Sequence, residues 1–272
     1  MLSFLKLGGS LITHKDRPHT ARRQILARLA TEISLARQQD PELRILIGHG
    51  SGSFGHVAGK KYNTRFGVGS PRQWMGFAEV WRQARDLNEI VLGALDQAGL
   101  PVIAFPPSAL VTARDGKVAA WDTAPVEAAL HAGLIPVING DVIFDTVRGG
   151  TILSTEECFV HLLPCLRPGR ILLAGLEAGV WQDFPKREKL IPLITPGIFQ
   201  QTNDSIKNST SVDVTGGMYE KVLSMLSLVE IDPNLKILIF SALKSQTLYQ
   251  ALCGANPGTI IQNQSMGGEN DI

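Results

Sequence analysis

Residues 3–15 read SFLKLGGSLITHK. Ser3–Leu7 is a short, nearly continuous apolar run of strand length, with Lys6 close to its tip. Gly8 and Gly9 follow at once. Paired glycines directly after a strand permit a tight turn whose bare N–H groups point outward. Five further runs have the same character: RILIG (44–48), PVIAF (101–105), PVING (136–140), RILLAG (170–175) and KILIF (236–240). They do not alternate apolar with polar, which is the pattern of parallel strands buried on both faces.

Helical spacing fills the gaps between these runs. Thr20–Gln39 carries Ile25, Leu26, Leu29, Ile33 and Ala36 on one stripe. Pro71–Ala98 does the same with Trp74, Phe77, Val80, Trp81, Leu87, Val91 and Leu95. Thr123–His131 and Gly216–Leu228 are two shorter helical patterns. Strand and helix alternate throughout, so the class is α/β. AFPPSAL (104–110) and QQTNDSIKNSTS (200–211) read as loops, and no linker divides the 272 residues into independent domains.

Composition narrows the function. With 26 Lys+Arg against 25 Asp+Glu the net charge is +1, which argues against broad binding to nucleic acid or to an acidic membrane. The three cysteines, Cys158, Cys165 and Cys253, form neither a disulfide framework nor a metal knuckle and suit a reducing compartment. The opening MLSFLKLGGS is too short an apolar stretch for a signal peptide. No run reaches the ~18 apolar residues of a membrane span. A soluble, cytoplasmic protein is the expectation.

Three turns then carry the chemistry. At the first, Lys6 and Lys15 flank Gly8 and Gly9. Two ammonium groups beside outward amides suit a transferring phosphoryl group, whose charge must be stabilised on several oxygens together. Taken alone, KLGGS is equally an ordinary strand-to-helix turn. The second is HGSGSFGH (49–56), after the second apolar run. Its spacing is neither G-x-G-x-x-G nor a Walker loop. Ser51, Gly52, Ser53 and Gly55 offer donors for a phosphate, Phe54 packs inward as an anchor, and His56 is placed to hold a phosphate oxygen. His49, at the strand end, reads as structural. The third is VDVTGGMYEK (212–221), a helix start with Thr215 as N-cap, the pair Gly216–Gly217, and Lys221 in the opening turns. Beside these, Asn139-Gly140-Asp141 closes another apolar run. Asp141 there could orient the lysines or hold a metal-bound water, or be a plain turn aspartate. Each turn alone is weak; three, each with a cation, point to phosphate handling.

KLGGS, the glycine loop after the second strand, NGD and DVTGGMxxK occur here in the order of the amino acid kinase superfamily, which the chain resembles over nearly its whole length. Within it, KLGGSLITHK together with GHGSGSFGH is similar to the isopentenyl phosphate kinases, the histidine at the loop's end being the discriminating residue. The resemblance implies a three-layer αβα sandwich around a mainly parallel sheet. It implies one amino acid kinase domain over 1–272, with an acceptor-binding lobe at about 1–165 and a nucleotide-binding lobe at about 166–272. Lys6, Gly8, Gly9 and Ser10 would cradle ATP phosphates, and Lys15 would stabilise the phosphoryl group in flight. Gly52, Gly217 and Lys221, with Gly179, would contact ATP. Ser51, Gly55, His56 and Gly150 would hold the acceptor. Asp141 would organise the lysines. Mg2+ would arrive with ATP, and a homodimer is implied. Phe77, Val80, Trp81 and Ile90 could wall a pocket for a short prenyl tail, or serve as core or as a dimer face; aromatic bulk there would limit tail length, so a five-carbon acceptor is expected.

Two stretches depart from that pattern. A T-D-V-D-G-V-like segment near the nucleotide is replaced by Ala174–Trp181, AGLEAGVW, in which Glu177 is the single acid. ILSTEE (152–157) replaces a Ser-x-Asp pattern. The rival readings are a same-fold kinase acting on a phosphonate such as fosfomycin, and a non-catalytic nucleotide sensor.

Overall fold

The apolar runs pair side by side. The computed structural model describes residues 1–199 and 217–263. With strands numbered in chain order, its main sheet of eight runs β12 (Leu193–Ile194), β14 (Thr259–Ile261), β13 (Lys236–Ser241), β9 (Arg170–Gly175), β1 (Leu2–Leu7), β2 (Arg44–His49), β6 (Ile135–Asn139) and β3 (Val102–Ala104). From β13 to β3 all neighbours are parallel; β14 runs antiparallel to β13. All six runs read from the sequence are therefore strands of one sheet.

Both faces of that sheet are covered, which explains the lack of alternation. One face carries Leu5, Ile45, Ile47, Leu172 and Leu238 against helices α2 (Arg23–Gln39) and α4 (Pro71–Gln97) and the short helix Thr247–Leu252. The other carries Phe4, Leu46, Ile138, Ile171 and Ile237 against α6 (Ala124–His131), α7 (Thr155–Leu166) and α8 (Gly217–Ile231). This is a three-layer αβα arrangement. Ser70 caps α4 reciprocally with Gln73, and Pro71 opens the helix, so its start lies where the sequence placed it.

A second sheet was not anticipated. Its order is β5 (Lys117–Trp121), β4 (Val111–Arg114), β7 (Asp141–Asp145), β8 (Gly149–Leu153). AFPPSAL, expected as loop, ends β3 and forms the helical turn Pro107–Leu110. Asp115 and Gly116 join β4 to β5 with φ of 50° and 78°, a two-residue turn of the kind that closes hairpins. The buried Asp145 carboxylate ties both hairpins together: it accepts from the N–H groups of Asp115 (3.1 Å), Gly116 (2.7 Å), Val147 (2.8 Å) and Arg148 (2.8 Å). Burial would raise its pKa, but these four donors outweigh burial and hold it below the usual range. Asp145 therefore supports the hairpins above the ordinary carboxylate pKa, and that support is lost as pH falls through its lowered value.

Candidate active site

β1 lies where the chain reverses direction across the sheet: β2 is on one side and β9 on the other. Open α/β sheets form their ligand crevice at the carboxyl ends of strands flanking such a reversal. Gly8 and Gly9 follow β1 at that place. The Gly8 N–H donates to the Ala174 carbonyl at 2.8 Å, tying the turn to the end of β9. Gly9 and Ser10 open the short helix α1 (Gly9–Ile12), so their N–H groups have no carbonyl of that helix to bond.

The HGSGSFGH loop packs backbone to backbone on this turn. A Cβ on Gly9 would lie 2.5 Å from the Gly52 nitrogen. Gly52 has φ +49°, and a Cβ there would meet Thr13 Oγ1 at 2.1 Å. The glycines of the loop are thus required first by the neighbouring turn. Thr13 Oγ1 staples the two, donating to the Gly9 carbonyl (2.8 Å) and accepting from the Ser53 N–H (3.0 Å). Phe54 is buried as anticipated, with His19 edge-on at 5.6 Å. His49 is buried, its Nε2 3.0 Å from Asn88 Oδ1, and burial pushes its pKa down.

His56 is the first residue of α3 (His56–Tyr62), following Gly55, and its ring reaches solvent. Partial burial, then the charges of Lys6 and Lys15, lower its pKa below the ordinary histidine value. Ser51 lies one turn before His56, its side chain 3.1 Å from where a Gly55 Cβ would stand.

The acid that meets Lys6 is Glu156, on the first turn of α7. Burial works to raise its pKa, but Lys6 and then Lys221 hold it below the usual carboxylate range. Lys221 is thus brought to the same place from α8, which begins at Gly217. Val212–Gly216, including the expected N-cap Thr215, lie outside the described residues. Asp141, expected to organise the lysines, has other partners. Its Oδ2 accepts from the Ser108 N–H (3.2 Å) and its Oδ1 from the Val142 N–H (2.8 Å), and burial raises its pKa to about 6. It opens β7 rather than ending β6. The signal for Glu156 was present in ILSTEE: Ser154 makes a capping box with Glu157, which aims the first turn of α7 at β1.

The remaining residues divide. Gly150, in β8, faces Phe77: a Cβ there would lie 2.8 Å from the ring. Phe77 is buried and joins Trp74 (5.3 Å) and Phe144 (5.2 Å) in an aromatic cluster beside Val68, Val80 and Val142. Trp81 stands outside that cluster, 38% exposed, with the Arg85 guanidinium 5.8 Å from its ring centre. Ile90 packs against the core of the opposite layer. Gly179 is buried against β14, where a Cβ would meet Thr259 Oγ1 at 2.4 Å. Its place is explained by sheet packing.

The amino acid kinase family model matches residues 1–241. Isopentenyl phosphate kinase of Methanocaldococcus jannaschii is 30% identical over 270 residues, covering 96% of this chain and 98% of that protein. Its counterpart from Haloferax volcanii is 32% identical over 267 residues, covering 97% and 99%. A solved isopentenyl phosphate kinase structure superposes with a TM-score of 0.81 at 29% identity, over 96% of this chain and all of that one. The chain therefore belongs to the amino acid kinase family and, within it, to the isopentenyl phosphate kinases.

Proposed function

We propose that this protein transfers the terminal phosphoryl group of ATP to isopentenyl phosphate, forming isopentenyl diphosphate. One observation carries the reading: the glycine loop that ends in His56 packs backbone to backbone on the glycine turn that follows Lys6, with Thr13 stapling the two. A cationic cluster with a histidine at its rim suits an acceptor that is itself a phosphate. The residues fit a nucleotide. Gly9 and Ser10 present N–H groups with no helical partner, and Lys6 beside them is ion-paired with Glu156. Mg2+ would arrive with ATP, held mainly by its phosphate oxygens. Bound MgATP would supply the phosphoryl group and part of the charge neutralisation.

The chain's own part is positioning. Lys6 and the Gly9 and Ser10 amides hold the donor phosphates, and Glu156 sets the direction of Lys6. Lys15 neutralises charge on the phosphoryl group, and His56 holds the acceptor. No base is required, because a phosphate monoester is already anionic near neutral pH. Residues up to about 165 would bind the acceptor and the rest the nucleotide, in a cytoplasmic homodimer.

His56→Ala is expected to raise the acceptor KM by roughly 10–100-fold with a far smaller change for ATP, the scale of a lost charged hydrogen bond. Equal losses for both substrates would refute the role. A coupled ADP-release assay with isopentenyl phosphate and fosfomycin side by side tests the acceptor class. Calorimetric ATP binding without turnover on any small phosphate would favour a sensor instead.

A further inference from the structure

Glu177 lies two residues past the end of β9, at the edge of the crevice. Three donors already occupy it. Arg187 Nε donates to Oε2 at 3.0 Å and Nη2 to Oε1 at 2.9 Å, and Trp181 Nε1 adds a bond to Oε2 at 3.0 Å. Arg187 is held in turn. Its guanidinium lies 4.8 Å from the Phe184 ring centre, and its φ is 60°, which an arginine keeps only when its surroundings hold it. It sits in the connection between β10 (Val180–Trp181) and β11 (Leu190–Ile191), where Asp183 accepts from the Lys189 N–H at 3.1 Å. Arg187, then Trp181, then the more distant Lys15 hold the Glu177 pKa down. The turn that leads to Lys15 is bonded to the end of β9 just before Glu177: the Gly8 N–H donates to the Ala174 carbonyl at 2.8 Å, and a Cβ on Gly8 would lie 3.6 Å from Gly175 Cα; among the described residues Lys15 makes no ion pair.

We propose that Arg187 is a positioning residue: by engaging both oxygens of Glu177 it keeps that carboxylate from capturing Lys15, and so leaves the lysine ammonium to the phosphoryl group. This rests on the role given to Lys15 above. Bidentate pairing by a planar guanidinium, backed by the indole N–H, outcompetes a single ammonium on a flexible stem. Without Arg187, Glu177 becomes an acceptor with one donor left and a lysine nearby. Lys15 would then be drawn towards Glu177 and away from the reacting phosphate.

The test is a kinetic double-mutant cycle on the full chain, run where circular dichroism shows each variant folded. Arg187→Gln should lower kcat roughly tenfold while both KM values stay within about threefold. In a Glu177→Gln background the same change should cost less than about twofold. Arg187→Lys, which keeps a cation beside Glu177, should hold kcat within about threefold of the parent. Equal losses in the two backgrounds would overturn the proposal. So would a Glu177→Gln loss as large as that of Arg187→Gln, because the pair would then only shape the hairpin. Lys15→Ala separates the two levels. If it leaves kcat intact, the role of Lys15 falls and this proposal with it. If it depresses kcat but Arg187→Gln does not, only the proposal falls.

Discussion

Glu156 stands between two lysines, paired with Lys6 and within the field of Lys221. Without its charge Lys6, Lys15 and Lys221 repel one another. Phosphates would still bind, but the lysines would lose the geometry that transfer needs. Glu156→Gln is therefore expected to lower kcat by roughly 10–100-fold with little rise in the ATP KM, as read from steady-state kinetics. Glu156→Asp should recover part of the loss. A change confined to KM would mean that the carboxylate serves only nucleotide binding. His56 gives a second prediction. Partial burial and the two lysines lower its pKa in the free protein, whereas a phosphate dianion beside the ring raises it. Between those two values the free ring is neutral and the bound ring charged, so binding takes up a proton and weakens as pH rises. Acceptor calorimetry near neutral pH, in two buffers of different ionisation enthalpy, should show that uptake in the parent and not in His56→Ala. Equal uptake in both would show that the ring binds neutral.

The two residues of α4 expected at the acceptor pocket stand in different surroundings. Phe77 fills the space over Gly150 together with Trp74 and Phe144, while Trp81, four residues on, faces solvent beside Arg85. Phe77→Ala is expected to raise kcat/KM for longer prenyl phosphates by roughly tenfold, at a stability cost of about 3 kcal/mol from the cavity it opens. Trp81→Ala should leave the chain-length preference unchanged. Assays over acceptors of increasing length check both, and an unchanged preference in Phe77→Ala would remove it from the pocket wall. Both residues fell on the apolar pattern of the same helix, and helical spacing does not distinguish a residue over the second sheet from one at its rim. The hairpin from Val111 to Trp121 passed unseen for a related reason. Its Asp115-Gly116 turn was visible, but its strands are short and half exposed, so they lack a continuous apolar run.

At the scale of the molecule the charge is almost zero, +1 over 272 residues, yet Lys6 at the end of β1, Lys15 after α1 and His56 at the start of α3 all follow the carboxyl ends of β1 and β2. Such a local field attracts anions and is screened by salt. Raising ionic strength to about 0.5 M should increase both KM values several-fold with a smaller effect on kcat, since the Debye length falls to a few ångströms. A flat salt response would argue against cationic capture of the substrates. The parallel sheet and the first two glycine turns were legible from residues 3–15 onward because burial on both faces and the need for bare backbone each impose a local composition. The partners of the charges were not. Asp141 was the acid expected beside the lysines, and ILSTEE stood out only as a departure from the family pattern; the packing of α7 beside β1 brings Glu156 to Lys6. Likewise, nothing in HGSGSFGH showed that its glycines accommodate the neighbouring KLGGS turn. Composition responds to what surrounds each residue on average; which side chains meet depends on strand order and helix placement, and those are set by contacts far apart along the chain.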